Sequence, residues 1–201
     1  MPIDNMLERF RVEQPHARTV SQHALTLFDQ LHPLFCSAKE SVAAWRNLLE
    51  VSALLHDVGY CINKKGHHKH GAYIIRHAVE TQSWDPIFRR HVRWMIYVHR
   101  KKVNKKWRQK LTEHPALLAC AAILRVADGL DRTHDSTVSI AHIAVDDQAV
   151  TLTLHGISSK VLEHLLQRKA DIWEEGLHRI LRIAVLPPAE EKIASSSTPS
   201  S

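Results

Sequence analysis

The sequence of 201 residues has few cysteines and no long apolar run. Its three cysteines, Cys36, Cys61 and Cys120, form no Cys-x-x-Cys pair, so a reducing cytoplasm fits better than a disulfide framework. No segment approaches the roughly 20 apolar residues that a membrane span requires. The first residues, MPIDNMLERF, lack the apolar core of a signal peptide. We therefore expect a cytoplasmic protein that does not enter a membrane.

Acidic residues are fewer than basic ones, and histidine is unusually frequent. The 27 Lys and Arg against 21 Asp and Glu give a formal net charge of +6, and the chain contains 16 histidines. A basic balance favours polyanionic partners, either nucleic acid or phosphorylated small molecules. No helix-turn-helix or RNA-binding signature is present, so nucleic acid is the less favoured partner. Histidine is the commonest metal ligand, and the positions of these residues must decide which of them bind an ion.

The apolar periodicity predicts a mainly α protein. We expect a single helical domain over residues 1–186 and a disordered tail over 187–201. The predicted helices cover about residues 17–31, 37–58, 68–80, 85–99, 114–130 and 160–183. Ser37 and Glu40 are predicted to form the capping box of the second helix. Alternating β-branched residues between about 137 and 155 predict a β-hairpin, and the basic run 100–110 predicts a mobile loop.

Histidine and aspartate recur near the ends of these predicted helices. The candidates, in chain order, are His16, the pair His56–Asp57, the group His67, His68 and His70, then His99, and finally Asp128. Each residue alone is weak evidence for a metal site, because a single histidine at a helix end is more often a cap or a surface residue. Together they suit a site built from several helices. Imidazole and carboxylate ligands would bind Mn, Fe, Co, Ni, Zn or Mg.

The order H…HD…H…H…D resembles the HD superfamily of metal-dependent phosphohydrolases. From about His16 to Ile183 the chain is more closely similar to the C-terminal helical domain of the exopolyphosphatase/guanosine pentaphosphatase (Ppx/GppA) family. The segments that carry this likeness are SALLHDVGYCINKKGHHKHGAYIIRHA, YVHRKK, AAILRVADGLDRTHDSTV and LQRKADIWEEGLHRIL. The resemblance implies an HD-type helical bundle with the small β-hairpin near its C-terminal part. The actin-like phosphatase domains of the full-length family have no counterpart here, so polyphosphatase activity is not directly inherited.

The resemblance also implies a ligand set for one or two divalent metal ions. His16, His56, Asp57 and Asp128 match the residues that bind one ion, and His67 and His99 match those that complete a binuclear site. His67 is preferred because it precedes Gly71 by four residues. His68 and Asp131 are the alternative ligands. His56 and Asp57 are the expected catalytic residues, with Asp57 orienting a metal-activated hydroxide.

Basic residues follow these ligands closely along the chain. Lys64, Lys65, Arg100, Lys101 and Arg132 are predicted to bind phosphate, and Lys102 and Arg125 are expected at the same mouth. The alternative for each is a solvated basic surface. Trp107, in the basic run, is a less favoured base-stacking platform.

These patterns predict a metal-dependent phosphohydrolase that cleaves a phosphoester or phosphoanhydride of a nucleotide or polyphosphate. The alternative is a non-catalytic polyphosphate- or nucleotide-binding regulatory module. A homodimer through the hairpin edge and a separately encoded phosphatase partner are both left open.

Overall fold

A computed structural model describes residues 2–37 and 40–187. The chain is mainly α with a small sheet, as the sequence predicts. Its helices are α1 (Pro2–Arg9), α2 (Gln14–Leu31), α3 (Val42–Leu55), α4 (His67–His77), α5 (Pro86–Val98), α6 (Lys105–Thr112), α7 (Pro115–Leu130), α8 (Ser159–His164) and α9 (Trp173–Leu177). Its strands are β1 (Ser139–Val145), β2 (Ala149–His155) and β3 (Ile180–Val185). No helix in the described ranges is both long and apolar enough to cross a bilayer.

Helix α7 is the centre of the core. Every residue from Ala116 to Leu130 is buried except Asp128. Helices α2, α3, α5 and α9 all pack against α7, and its alanines let them approach closely. A single partly accessible carboxylate on an otherwise buried helix marks the place where the core opens towards solvent.

The predicted start of the second helix was wrong. Helix α3 begins at Val42, where the Ser41 side chain accepts a hydrogen bond from the Ala44 amide at 3.2 Å. The backbone N–H of Ser37 does donate to Glu40 Oε2 at 3.0 Å, but this contact lies ahead of the helix and does not cap it. Helix α3 also ends at Leu55, so that His56 and Asp57 lie just beyond its last turn.

A glycine brings the end of α3 against the start of α4. A Cβ atom at Gly59 would lie 2.1 Å from the carbonyl oxygen of His67 and 2.4 Å from the amide nitrogen of Gly71. No larger residue fits this contact without moving the backbone. The close approach places Asp57, two residues before Gly59, beside the first turn of α4.

The basic run from Arg100 to Lys110 is not a loop throughout, contrary to the prediction. Its second half forms the first part of α6, and the Asn104 side chain caps that helix by accepting from the Trp107 amide at 3.1 Å. Val103 and Leu111 are buried on either side of the basic positions. Two apolar anchors therefore hold the segment on the core, while Lys101, Lys102, Lys105 and Lys106 are exposed.

The prediction for the C-terminal part was correct for two strands and wrong for the last helix. β1 and β2 pair antiparallel over the predicted hairpin, with an irregularity between Ile140 and His142. Instead of one helix over about 160–183, the chain forms α8, a π-helical turn at Leu165–Lys169, the short α9, and then β3. β3 pairs parallel with β2, from Ala149 opposite Ile180 to Leu154 opposite Val185. Beyond Pro187, the predicted disordered tail lies outside the described residues.

Candidate metal centre

Four histidines and two aspartates meet where five helices end or begin. His16 lies in the first turn of α2, His56 and Asp57 follow α3, His67 opens α4, His99 follows α5, and Asp128 lies on α7. All four histidines are at most 3% exposed, while the side chains of Asp57 and Asp128 keep 11% and 14% of their surface accessible. The long-range packing thus brings together all six residues of the expected ligand set.

One group forms around His16 and His56. Their Nε2 atoms are 3.2 Å apart. Asp57 Oδ2 lies 3.5 Å from His56 Nε2 and 3.9 Å from His16 Nε2. Asp128 Oδ1 lies 3.8 Å from each of these two nitrogens. Two imidazole nitrogens and two carboxylate oxygens therefore surround one small space.

A second group shares the same aspartate. The Nε2 atoms of His67 and His99 are 3.1 Å apart. Asp57 Oδ1 lies 3.0 Å from His67 Nε2 and 3.4 Å from His99 Nε2. Each oxygen of Asp57 faces a different pair of histidines, so this carboxylate can bridge two ions.

The other ring nitrogen of each of these histidines contacts an acceptor. Three rings have their Nδ1 near the backbone oxygen three residues earlier: His56 to Ala53 at 2.7 Å, His67 to Lys64 at 3.1 Å and His99 to Ile96 at 2.7 Å. The Nδ1 of His16 lies 2.7 Å from Asp131 Oδ2. These contacts assign the proton to Nδ1, which then donates, and leave a lone pair on every Nε2. Facing lone pairs at about 3 Å repel one another, and a cation relieves that repulsion. The donor set therefore fits a divalent metal ion.

The charges of the group favour a cation as well. Burial raises the pKa of Asp57. Its contacts with His56, His67 and His99 lower that pKa by more than burial raises it, so the net pKa lies below the usual range. Burial lowers the pKa of His99 to about 4. Burial and the neighbouring His56 also lower the pKa of His16. At neutral pH the carboxylate of Asp57 is charged, while His16 and His99 are neutral and able to bind metal.

The six residues lie at or beneath the floor of a cleft of about 950 Å³. Basic side chains dominate its walls: Lys64, Arg100, Lys101, Lys102, Arg132, Lys160, Arg168 and Lys169. Four of the five predicted phosphate-binding residues are among them, whereas Lys65 is exposed outside the cleft. A polyanion entering this cleft would be attracted from both sides.

Arg125 does not lie at the mouth, contrary to the prediction. It is fully buried, and its guanidinium donates to the carbonyl oxygens of Val98, Lys101 and Arg168 and to Asp171 Oδ1. Arg125 therefore joins the ends of α5 and the π-helical turn, and its charge is already paired.

The two alternative ligands occupy different places. Asp131 contacts His16 from the Nδ1 side, and its other oxygen accepts the Ser136 amide at 2.8 Å. It orients the ring without facing the shared space. His68 is buried next to Tyr97, with ring centroids 5.5 Å apart, and its Nδ1 has no hydrogen-bond partner in the described chain. It belongs to neither group of converging nitrogens.

Sequence reasoning missed three residues at this centre. Tyr60 stacks on His67 with ring centroids 4.2 Å apart, and burial together with Asp57 raises the pKa of its phenol to about 12. His134 stacks on His16 at 3.6 Å. Lys169 donates to Asp128 Oδ2, and its charge is the largest effect that lowers the pKa of Asp128 against burial. The position of Tyr60, three residues after Asp57, is a weak local indication that it lies near the centre. Nothing in the sequence around Lys169 indicates this, because only the tertiary fold brings Lys169 to α7.

Comparison with known proteins gives one family match and several relatives. A family model described as Ppx/GppA phosphatase, domain III, matches residues 1–176. The guanosine-5'-triphosphate,3'-diphosphate pyrophosphatase of Aeromonas hydrophila is 29% identical over 154 residues, which are 75% of this chain and 30% of that protein. The protein of the same name from Aeromonas salmonicida is 27% identical with the same coverage, and that of Pseudoalteromonas atlantica is 32% identical over 51% of the chain and 20% of its own length. The chain thus spans less than a third of these relatives.

Proposed function

Because the chain belongs to the Ppx/GppA phosphatase domain III family, we propose that it is a phosphohydrolase of HD type that depends on divalent metal. The observation that carries this proposal is Asp57, whose two oxygens each face a different pair of imidazole nitrogens at the floor of a basic cleft. Within the proposal, His16, His56, Asp57 and Asp128 hold one ion, and His67, His99 and Asp57 hold a second. The metal is one of Mn, Fe, Co, Ni, Zn or Mg.

The chain's own residues have separate tasks in this proposal. A bound divalent ion would supply a Lewis acid for a phosphoryl oxygen and lower the pKa of a water molecule. Asp57 positions the nucleophile, because its two oxygens lie between the two histidine pairs. Arg100, Lys101 and Arg132 neutralise phosphate charge from the cleft walls. Tyr60, whose phenol stays protonated at neutral pH, offers an O–H donor at the cleft.

The proposed substrate is a phosphoester or phosphoanhydride of a nucleotide or of polyphosphate. The relatives named above are pyrophosphatases of a guanosine nucleotide that carries phosphates on two positions. Eight Lys and Arg side chains around the cleft suit a ligand with several phosphate groups. The expected cytoplasmic location and a homodimer stay predictions.

A second candidate is a non-catalytic module that binds the same polyanions and regulates a separately encoded phosphatase. It is favoured by one fact: the chain spans only 30% of the Aeromonas relatives, so their activity belongs to much longer proteins. This candidate uses the same cleft without turnover.

Elemental analysis followed by a phosphate-release screen separates the two candidates. The purified chain is analysed for transition metals, stripped with a chelator, and assayed with Mn²⁺ or Co²⁺. The substrates are nucleoside triphosphates, cyclic nucleotides, guanosine tetra- and pentaphosphate, and polyphosphate. Phosphate release that requires the ion supports the hydrolase. Tight binding of a polyanion without release supports the module, and a chain that binds no metal contradicts the proposed centre.

A further inference from the structure

The two carboxylates of the candidate centre differ in what holds them. Both oxygens of Asp57 face imidazole nitrogens, whereas Asp128 is divided between two kinds of partner. Its Oδ1 lies 3.8 Å from His16 Nε2 and from His56 Nε2, and its Oδ2 accepts from the ammonium group of Lys169. Only one oxygen of Asp128 is therefore free to bind a cation.

From this contact we infer that Lys169 is a positioning residue, which keeps Asp128 as a one-oxygen ligand and thereby leaves room for water or substrate at the ion. The inference rests on the proposed metal-dependent function. A carboxylate that offers both oxygens occupies two coordination positions, and one that offers a single oxygen occupies one. Catalytic metal sites differ from structural ones by keeping a position open.

The fold aims Lys169 at this place with several independent contacts. Its side chain is 8% exposed, and its Nζ also donates to the carbonyl oxygen of His99 at 3.1 Å. A Cβ atom at Gly129 would lie 3.0 Å from Lys169 Cγ and 3.2 Å from its Cβ, so the glycine next to Asp128 makes room for the lysine stem. Lys169 thus contacts Asp128 of the first group and the backbone of His99 of the second.

An unusual piece of backbone delivers the lysine. Leu165–Lys169 is a π-helical turn, a conformation that is rare and frequent at functional sites. Arg125 fixes this turn from inside the core by donating to the Arg168 carbonyl at 2.8 Å and to Asp171 Oδ1 at 2.5 Å. Leu165 and Lys169, at the two ends of this turn, both lie against Gly129 of α7.

The inference predicts opposite effects on metal affinity and turnover. Removing the ammonium group frees Asp128 Oδ2 for the ion and removes a positive charge that repels it. Metal binding at the position that includes Asp128 should therefore become tighter, while phosphate release becomes slower because the open position is filled. General damage to the site would instead lower both the metal affinity and the rate of phosphate release.

The test compares Co²⁺ binding and Co²⁺ visible absorption in the full chain and in Lys169→Met. We expect Co²⁺ to bind about tenfold more tightly in the variant. We also expect weaker visible absorption, since cobalt with more ligands absorbs less strongly, and phosphate release at least about tenfold slower. Lys169→Arg, which retains a charged donor, should restore most of the wild-type spectrum. Lys105→Met, on the exposed start of α6, is the matched control and should change nothing.

Wild-type affinity and spectrum in Lys169→Met would overturn the inference, and so would weaker Co²⁺ binding in a variant with unchanged circular dichroism. If the Met variant does not fold, Lys169→Leu gives the same comparison, because leucine also lacks a donor for Asp128 Oδ2. The proposed function fails separately: a wild-type chain that binds Co²⁺ but releases no phosphate contradicts the hydrolase, while the affinity and spectral comparison still tests Lys169.

Discussion

Helix α5 contributes one histidine to each of two groups, and the two groups differ in the charges around them. His99, at the C-terminal end of α5, belongs to the candidate centre and faces Asp57. His91, in the middle of α5, belongs to an aromatic cluster that we define as Trp45, His91, Trp94, Trp107 and His114. Arg90 and Lys110 lie over the Trp94 ring of that cluster. One group mixes imidazoles with carboxylates, and the other mixes them with cations.

The hydrogen bonds of the two groups differ in the same way. In the candidate centre the Nδ1 atoms of the ligand histidines all contact acceptors, so that each Nε2 is free for an ion. In the aromatic cluster the buried His91 Nε2 and Trp94 Nε1 have no partner among the described residues. Histidine frequency alone is therefore no guide to a metal site in this chain. The carboxylates and the acceptors behind the rings make the difference.

The largest effect should come from Asp57→Ala. Asp57 is common to both histidine pairs, so its loss should remove metal binding at both positions. Because substitutions behind metal ligands already cost about 10–100-fold, we expect a loss of at least about 100-fold in affinity and in metal-dependent phosphate release. Calorimetric titration with Mn²⁺ and the release assay measure it.

The matched control for that prediction is His91→Phe in the aromatic cluster, which should bind metal and turn over substrate as the wild type does. Wild-type turnover in Asp57→Ala would show that the assignment of the centre is wrong. A loss of metal binding in His91→Phe would instead end the contrast between the two groups.

A smaller loss is expected for Asp131→Ala. Asp131 holds the Nδ1 of His16 and therefore the direction of its Nε2 lone pair. Its removal should weaken binding of the first ion by about 10–100-fold and leave the His67–His99 position unchanged. Titration with Co²⁺, followed by its absorption, distinguishes the two positions. Equal weakening at both positions would mean that Asp131 acts on the fold as a whole.

The pH dependence of stability should reveal both groups in the metal-free chain. Burial lowers the pKa of His99 to about 4, and burial with His114 and Arg90 lowers the pKa of His91 to about 4. The unfolded chain takes up these protons near pH 6.5, before the folded chain does. The free energy of unfolding should therefore fall as the pH drops from about 6.5 to about 4.

Urea titrations in the presence of a chelator measure this slope. His91→Phe should make it shallower, since one of the two titrating groups is gone. A slope that stays unchanged in this variant would show that His91 does not contribute.

The smallest effect should be the stability of His91→Phe at neutral pH. A buried polar atom without a partner costs about 1–3 kcal/mol, and phenylalanine removes it while keeping a ring against Trp45. We expect the free energy of unfolding to rise by about 1 kcal/mol, measured by urea denaturation at pH 7.5 or above. Destabilisation by a similar amount would indicate that a water molecule satisfies His91 Nε2 in solution.

Much of the helical architecture could be predicted from local pattern. The predicted fourth helix closely matches α5 because Asp85 caps it and Pro86 suits its first turn. The end of α9 at Leu177 and the change to strand β3 could not be predicted. Residues 180–185 are apolar apart from Arg182, so they fit a helix as well as a strand, and only the free edge of β2 decides for a strand. A loop was predicted around Lys105 because charged residues dominate that stretch, and the apolar Val103 and Leu111 that hold it on the core were not recognised as anchors.

The sequence by itself determined which residue types are available as metal ligands and in what order they occur, since both are local facts. His56, Asp57, His67, His99 and Asp128 were all recognisable as possible donors for a metal ion. Only the tertiary structure decided their partners. Asp57 faces four imidazoles, Asp131 stands behind His16, and Lys169 reaches Asp128 across 41 residues of sequence. These contacts depend on which helix surfaces pack together, and packing is a property of the whole core, which no single segment encodes.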